Sequence, residues 1–212
     1  MNDPATYWSA VADTAAFAHP VDRDRFEQHV PKDARVLDVG CGFGRTLAEL
    51  RDLGWTRLTG VDIAPGMIDR GRSLHPDLDL VVAEAAHLPF ERAAFDAVLL
   101  FAVLTTIPGD AAQRALVREV RRVLAPGGVV CVSDLFLNTD DRNVQRYDEG
   151  VRLRLGPRGC FRLDDGLVCR HHDPVWIDDL FSGFELIEQV PFTAATMRGH
   201  TSKAFRLFAR RW

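Results

Sequence analysis

Cysteine is scarce in this sequence, and the cysteines present form no recognisable framework. No two of them are spaced as a CxxC pair, since they stand at Cys41, Cys131, Cys160 and Cys169. A disulfide-rich secreted fold is therefore not expected, and neither is a zinc site with paired cysteine ligands. We predict reduced thiols, no bound metal and a cytoplasmic location, because the N-terminal segment also lacks the basic and apolar regions of a secretory signal.

Long apolar runs are missing as well, and so is an excess of one charge. No run approaches about 18 uninterrupted apolar residues, so no membrane-spanning helix is predicted. The 26 basic and 30 acidic residues leave a net charge of −4, and no basic stripe alternates with aromatic residues. Neither a membrane nor a nucleic acid is therefore an expected partner, and we expect a monomer or homodimer.

Short apolar runs alternate with amphipathic ones along the 212 residues, a length typical of one domain with additions. Strand-like runs occupy 35–39, 57–61 and 78–82, and two more lie in AFDAVLLFAVL and VVCVSDLFL. Helical patterns separate these runs, which predicts an α/β fold with a doubly wound sheet. The last two runs, FELIEQV and KAFRLFARR, have no helix between them and should pair antiparallel. The sheet should thus have seven strands, mostly parallel, with an antiparallel C-terminal strand.

The segments around this alternation divide the single predicted domain, 1–212, into four parts. Residues 1–30 look helical and should cap the ligand end of the sheet, whereas residues 31–135 should form the core. Residues 136–173 are irregular, polar and rich in arginine, and should form an insertion on the substrate side. Residues 174–212 should hold a short helix, with Asp173 at its cap position before Pro174, and the final strand pair.

A glycine-rich loop follows the first strand in the segment VLDVGCGFG. The alternating glycines Gly40, Gly42 and Gly44 allow a sharp turn and let a ligand approach the backbone closely. Asp62 ends the second strand about 20 residues later, where an acidic side chain accepts the ribose hydroxyls of an adenosine ligand. The pattern therefore indicates a nucleoside site, with a tight turn that binds nothing as the alternative.

A nicotinamide dinucleotide is the competing ligand for such a loop. The spacing in this loop is G-x-G-x-G, however, and not the G-x-G-x-x-G of dinucleotide sites. Asp38 also places a carboxylate at the loop, which is unfavourable beside a pyrophosphate and favourable beside a cation. A nicotinamide-dependent oxidoreductase is therefore kept as the second hypothesis.

Four segments in sequence make a family resemblance specific. VLDVGCGFG resembles motif I of the class I S-adenosylmethionine (SAM)-dependent methyltransferases. The similarity continues through GVDIAPGMI, AEAAHLPFERAAFDAVLLFAVLTTIP and EVRRVLAPGGVVCVSDL, and thus spans about residues 30–135. The resemblance implies a Rossmann-like sheet, SAM as cofactor and methyl transfer as activity. A SAM-binding protein without catalysis is the third hypothesis.

The resemblance also implies roles for single residues. Asp38 and the loop backbone would hold the methionine part of the cofactor, and Asp62 would hold its ribose. Glu84 would meet the adenine amino group, Ala85 would offer its backbone N–H to the ring, and the Phe101 carbonyl would face the ammonium. The implied cofactor residues are Asp38, Gly40, Cys41, Gly42, Gly44, Asp62, Ile63, Met67, Glu84, Ala85 and Phe101.

The acceptor is expected to be a small molecule. The fourth strand ends in FAVLTTIP and lacks the Asn/Asp-Pro-Pro-aromatic element of methyltransferases that act on nucleic-acid amino groups. We expect transfer to oxygen or nitrogen before sulfur or carbon, in specialised metabolism. Contacts to the acceptor should come from the N-terminal cap, with Tyr7, Trp8, Phe17 and His19, and from the insertion, with Arg142 and Arg146.

Three residues of the insertion are candidates for catalysis. His171 and His172 suit a general base, because an imidazole titrates near neutral pH. Adjacent residues of an extended segment point in opposite directions, so at most one of the two should face the site. Tyr147 is a further candidate, as base or as a residue that orients the substrate. The alternative for each histidine is a surface or helix-capping role, and the alternative for Tyr147 is packing.

Overall fold

The computed structural model describes residues 3–14, 19–196 and 199–212, and a seven-stranded sheet forms its centre. In chain order the strands are β1 (Arg35–Val39), β2 (Arg57–Asp62), β3 (Asp79–Val82), β4 (Phe95–Phe101), β5 (Leu124–Leu135), β6 (Cys160–Arg162), β7 (Val168–Arg170), β8 (Phe184–Ala195) and β9 (Thr201–Arg211). The order across the sheet is β3-β2-β1-β4-β5-β9-β8. Strands β1 to β5 pair parallel, whereas β9 runs antiparallel to both β5 and β8, which confirms the predicted fold.

Apolar clusters cover both faces of the sheet. Successive residues of β4, Leu99 and Leu100, belong to different clusters, and so do Cys131 and Val132 of β5. This arrangement accounts for the continuous apolar runs of the two strands, because parallel strands in the middle of a sheet are buried on both sides.

Helices connect the strands, and the last helix begins at the cap residue that the sequence predicts. Asp173 accepts a hydrogen bond from the Val175 N–H at 2.9 Å and thereby caps the last helix, as predicted. No helix among the described residues is long and apolar enough to cross a membrane. The helices are α1 (Pro4–Ala10), α2 (Arg23–His29), α3 (Arg45–Asp52), α4 (Pro65–Leu74), α5 (Asp110–Val123), α6 (Asp141–Arg152) and α7 (Pro174–Leu180).

The insertion is more regular than its sequence indicates. It contains α6 and the antiparallel pair β6–β7, where an irregular segment was expected. The buried face of α6 consists of Asn143, Tyr147 and Gly150, so a single large side chain, that of Tyr147, is fully buried by this helix. Gly150 allows close packing, because a Cβ there would lie 1.9 Å from the Cys160 carbonyl oxygen. This contact fixes α6 against β6.

The N-terminal segment does not act as one cap. α1 packs on α4, where the Gly66 N–H donates to the Ser9 hydroxyl at 3.2 Å. α2 packs instead into the core through Phe26, whose ring centroid lies 5.0 Å from that of Trp55. Of the predicted cap, α1 therefore lies beside the ligand end, and α2 belongs to the body of the domain. Phe17 lies outside the described residues.

Candidate functional site

A cavity of about 640 Å³ opens at the carboxyl ends of β1, β2 and β4. This edge is where open α/β sheets bind ligands. The cavity brings together most of the implied cofactor residues, which come from separate parts of the chain. Those in its wall are Asp38, Gly40, Cys41, Gly42, Asp62, Ile63, Met67, Glu84, Ala85 and Phe101.

The glycine loop shapes one end of the cavity. Gly40 has a φ of +74°, and a Cβ at this position would lie 2.6 Å from Val103 Cγ2, so a side chain would not fit. Gly44 lies outside the cavity wall and serves as the N-cap residue of α3. The glycine at position 44 is thus explained by the start of α3. The resemblance instead implies that Gly44 contacts the ligand.

Asp62 holds this loop in place. One carboxylate oxygen accepts the Gly42 N–H, and the other accepts the Ala64 N–H, both at 2.9 Å. Burial raises the pKa of Asp62, and the backbone N–H donors at Ala64, Gly42 and Ile63 oppose that rise. Because each carboxylate oxygen has more than one lone pair, Asp62 keeps acceptor capacity for a diol.

Asp38 is a buried carboxyl group to which no described residue donates a hydrogen bond. Its residue is 2% exposed, and its side chain makes no hydrogen bond to the described part of the chain. Burial raises the pKa of Asp38 to about 8, and Asp62 contributes to that rise, whereas Arg45 opposes it. A buried acid of this kind favours a positively charged neighbour in the cavity.

The walls beyond Asp62 are apolar, apart from Glu84. Met67 is buried against Ala64 and Ala12. Glu84 is exposed and lies 3.6 Å from His87. Ile63, Met67 and Ala85 thus form a surface suited to a flat ring, with a carboxylate at its edge.

The chain turns sharply where β4 ends. Ala102 has a φ of +56°, and its N–H donates to the Ser133 carbonyl at 2.8 Å. A non-glycine residue in this conformation costs roughly 1–2 kcal/mol, and such strain is characteristic of functional sites. The turn carries Phe101 and the following segment, 103–108, into the cavity wall.

The two adjacent histidines point in opposite directions, as the sequence predicts. His171 lines the cavity, whereas His172 is fully buried outside its wall. The Gln113 amide nitrogen lies 2.9 Å from His172 Nε2, and His172 Nδ1 lies 3.2 Å from the Leu135 carbonyl. These partners hold His172 as the neutral Nδ1–H tautomer. His172 is therefore enclosed by protein groups and is not part of the cavity wall.

Tyr147 supports His171 from behind. Tyr147 is 1% exposed and lies outside the cavity wall, and its hydroxyl accepts the Asn138 N–H at 3.2 Å. Its own proton is then available to His171 Nδ1, 2.7 Å away. We therefore assign the proton of the neutral His171 ring to Nε2. Tyr147 thus lies behind His171 and is linked to the cavity through that ring.

Burial makes His171 a weak base. Burial, followed by the positive charge of Arg146, lowers the pKa of His171 to about 3. A general base works best with a pKa near the working pH. In this arrangement His171 is suited to donate a hydrogen bond through Nε2.

Of the predicted acceptor residues, Arg146 contacts His171, and the others that the structure describes line the same cavity. Arg146 lies over the Phe161 ring at 3.6 Å, and its Nη2 is 3.3 Å from His171 Nε2. Tyr7 donates from its hydroxyl to Asp165 at 2.6 Å, which joins α1 to the turn between β6 and β7. Trp8, Arg142 and Arg146 line the cavity together with Tyr7.

The sequence argument missed part of the wall. The hairpins β6–β7 and β8–β9 contribute residues that carry no motif, and the segment after β4 contributes two threonines. Among the described residues, no three His, Cys, Asp or Glu side chains are grouped to hold a metal ion. The missed residues include Thr105, Thr106, Leu163, Leu167, Cys169, Thr201 and Ser202.

Comparison with known proteins bears on this site. The family described as "Methyltransferase domain" matches residues 37–132. A sterol 4-C-methyltransferase of Caenorhabditis elegans is 32% identical over 51% of this chain and 33% of that protein. An O-methyltransferase of Aspergillus nomiae is 30% identical over 73% of this chain and 65% of that protein. The chain spans less than two thirds of the length of either relative.

The fold is shared with solved structures. The crystal structure of a SAM-dependent methyltransferase from Methanosarcina mazei matches with a TM-score of 0.84. The match covers 88% of this chain and 96% of that chain, at 22% sequence identity. At this identity, the likeness shows a common fold.

Proposed function

Because this chain belongs to the class I SAM-dependent methyltransferases, enzymes whose cofactor is SAM, we propose that it transfers a methyl group to an oxygen or nitrogen atom of a small molecule. The observation that carries the proposal is one continuous cavity of about 640 Å³. This volume lies within the range of sites that bind small molecules. The carboxyl groups of Asp38 and Asp62 lie in its wall, as do Arg146 and His171.

The residues around the glycine loop fit the cofactor. Asp38 offers a buried carboxyl group to a cation, and Asp62 retains lone pairs for the ribose hydroxyls. Gly40 keeps the space beside the loop free of a side chain. SAM supplies a methyl group on a positively charged sulfur, which is already activated for transfer.

The acceptor half of the cavity aligns its ligand and excludes water. Trp8 and Tyr7 of α1 bound it on one side, and Phe161 of β6 bounds it on another. Proximity and orientation can supply about 7–11 kcal/mol of a barrier, so a strong base is not required for every acceptor. We propose that residues 31–135 hold the cofactor and that α1 and residues 136–173 hold the acceptor.

We propose oxygen or nitrogen as the atom that is methylated. The relative from Aspergillus nomiae is an O-methyltransferase, which supports oxygen. The relative from Caenorhabditis elegans is named for a carbon acceptor, so the product must be identified by its structure. We also propose that the reaction belongs to specialised metabolism. Family membership sets aside the nicotinamide-dependent oxidoreductase.

Labelled methyl transfer tests the proposal. The protein is incubated with methyl-labelled SAM and a panel of phenols, amines, acids, thiols and sterols, and the products are identified by mass spectrometry. We expect a labelled product with an O-methyl or N-methyl group, and no product with Asp62→Ala at equal cofactor concentration. Binding of S-adenosylhomocysteine without transfer to any acceptor would support the non-catalytic alternative.

A further inference from the structure

Arg146 is a cation in the acceptor half of the cavity that lacks a carboxylate partner in the described part of the chain. Its neighbours are the faces of Phe161 and Tyr147, 3.6 and 5.7 Å from the guanidinium carbon, and the ring of His171. Its Nε is buried and has no hydrogen-bond acceptor among the described residues. Burial lowers the pKa of Arg146, and the like charge of Arg142 contributes to that effect.

Other buried arginines of this chain show how their charge is usually balanced. Arg170 is 3% exposed and donates to Asp110 at 2.6 Å. Arg206 is 7% exposed and donates to Asp22 at 2.7 Å. Partly buried cations are costly without a counter-charge. A group that enters the cavity would therefore gain by supplying the negative charge that Arg146 lacks.

The neighbours of Arg146 also favour a negative group. Arg142 lines the same cavity one turn earlier on α6 and adds a second positive charge. His171 is neutral, with its proton on Nε2, so it adds a donor beside the guanidinium. Asp165 already accepts the Tyr7 hydroxyl. The surface formed by Arg142, Arg146 and His171 is thus donor-rich and positively charged.

We propose that the methyl acceptor is a carboxylic acid whose carboxylate pairs with Arg146 beside His171, while its apolar part lies against Phe161, Leu163 and Leu167. The inference rests on the proposed function and narrows its substrate class. A planar carboxylate matches the two parallel N–H groups that a guanidinium presents. The three apolar residues line the same cavity and come from β6 and the turn that follows it.

Small probes test the charge preference without catalysis. Benzoate and benzamide have nearly the same shape, but benzoate is negatively charged and benzamide is neutral. Phenyl phosphate serves as a third probe, in which a phosphate replaces the carboxylate. Their dissociation constants are measured by ligand-observed NMR with the protein saturated with S-adenosylhomocysteine. We expect benzoate to bind at least about tenfold more tightly than benzamide. One hydrogen-bonded charge pair contributes an affinity gain of about this size. Benzoate should also bind more tightly than phenyl phosphate.

Variants of α6 show which arginine causes the preference for benzoate over benzamide. Arg146→Gln should remove the preference for benzoate, and Arg146→Lys should retain part of it, because lysine keeps the charge and loses the fork. Arg152→Gln is the matched control, since Arg152 is an exposed arginine of the same helix outside the cavity wall. It should keep the full preference. The comparison of benzoate with benzamide on the unaltered protein stands even where a variant fails to fold.

The outcomes separate the inference from the proposed function. Failure to bind S-adenosylhomocysteine would refute the proposed function. Normal binding of that compound, with benzoate no tighter than benzamide or with neither probe bound, would refute the carboxylate inference alone. Tighter binding of phenyl phosphate would replace the carboxylate by a phosphate. A preference that persists in Arg146→Gln would show that Arg146 is not its source.

Discussion

Binding of SAM should remove a proton from Asp38. In the ligand-free chain, burial raises the pKa of this carboxyl group to about 8. At pH 7 such a group is about 0.9 protonated, and at pH 9 about 0.1. A cation placed beside it favours the ionised form and lowers the pKa. Proton release from Asp38 should therefore approach ~0.9 per cofactor at pH 7 and fall towards ~0.1 at pH 9.

The sign of the pH dependence follows from this release. Below the free pKa of about 8, the proton must leave Asp38 before the favourable charge pair forms. Acidification should therefore weaken binding, by up to about tenfold for each pH unit below 8, until the pKa of the bound state is reached. Above pH 8 the contribution of Asp38 should be constant.

Calorimetry in buffers with different heats of ionisation measures the released protons. The observed heat is plotted against the buffer heat at pH 7, and the slope gives the proton count. Asp38→Asn is neutral at every pH and should lose the contribution of Asp38, leaving any contribution of the cofactor's own amino group. Asp52→Asn, at an exposed position of α3, is the control and should behave like the parent protein. Equal proton release in the parent and in Asp38→Asn would refute the reasoning.

Four further predictions concern the acceptor side. Gly150→Ala should lower the free energy of unfolding by about 1–3 kcal/mol in chemical denaturation, because its Cβ would meet the Cys160 carbonyl at 1.9 Å; unchanged stability would contradict the tight packing of α6. His171→Ala should lower turnover about 10–150-fold, as loss of one charge-assisted hydrogen bond does, with unchanged cofactor affinity. The parent pH–rate profile should show no ascending limb from His171 near pH 6.5, since its pKa is about 3; such a limb, lost in His171→Ala, would restore the general base. Deletion of residues 1–19 should leave a folded protein with little activity, as judged by circular dichroism and turnover, and normal turnover would exclude a role for α1.

The cofactor half of the site could be predicted because its signals are local. Asp38, Gly40 and Asp62 stand at strand ends, and the alternation of strands and helices brings strand ends to one edge of the sheet. The bond from the Gly42 N–H to Asp62 could not be predicted, since it depends on the relative height of two neighbouring strands.

The acceptor half was less predictable for a physical reason. α6 buries Asn143, Tyr147 and Gly150, whereas Val151 of the same helix is exposed, so the buried face does not follow the apolar residues of the sequence. Its position depends on a close backbone contact at Gly150, which is a tertiary feature. Alternation along an extended segment predicted that one histidine at most faces the site, but it could not indicate that His171 is the one.

The hydrogen bonds of Asp62 have a consequence for how its variants are interpreted. The carboxylate fixes the Gly42 and Ala64 amides before any ligand arrives, so the conformational entropy of that turn is lost during folding and not during binding. The binding surface is in this sense preorganised. Replacing Asp62 would remove both the proposed ribose contact and the restraint on the turn. Its effect on affinity should therefore be non-additive with substitutions at Gly42, and a double-mutant cycle would measure the part due to preorganisation.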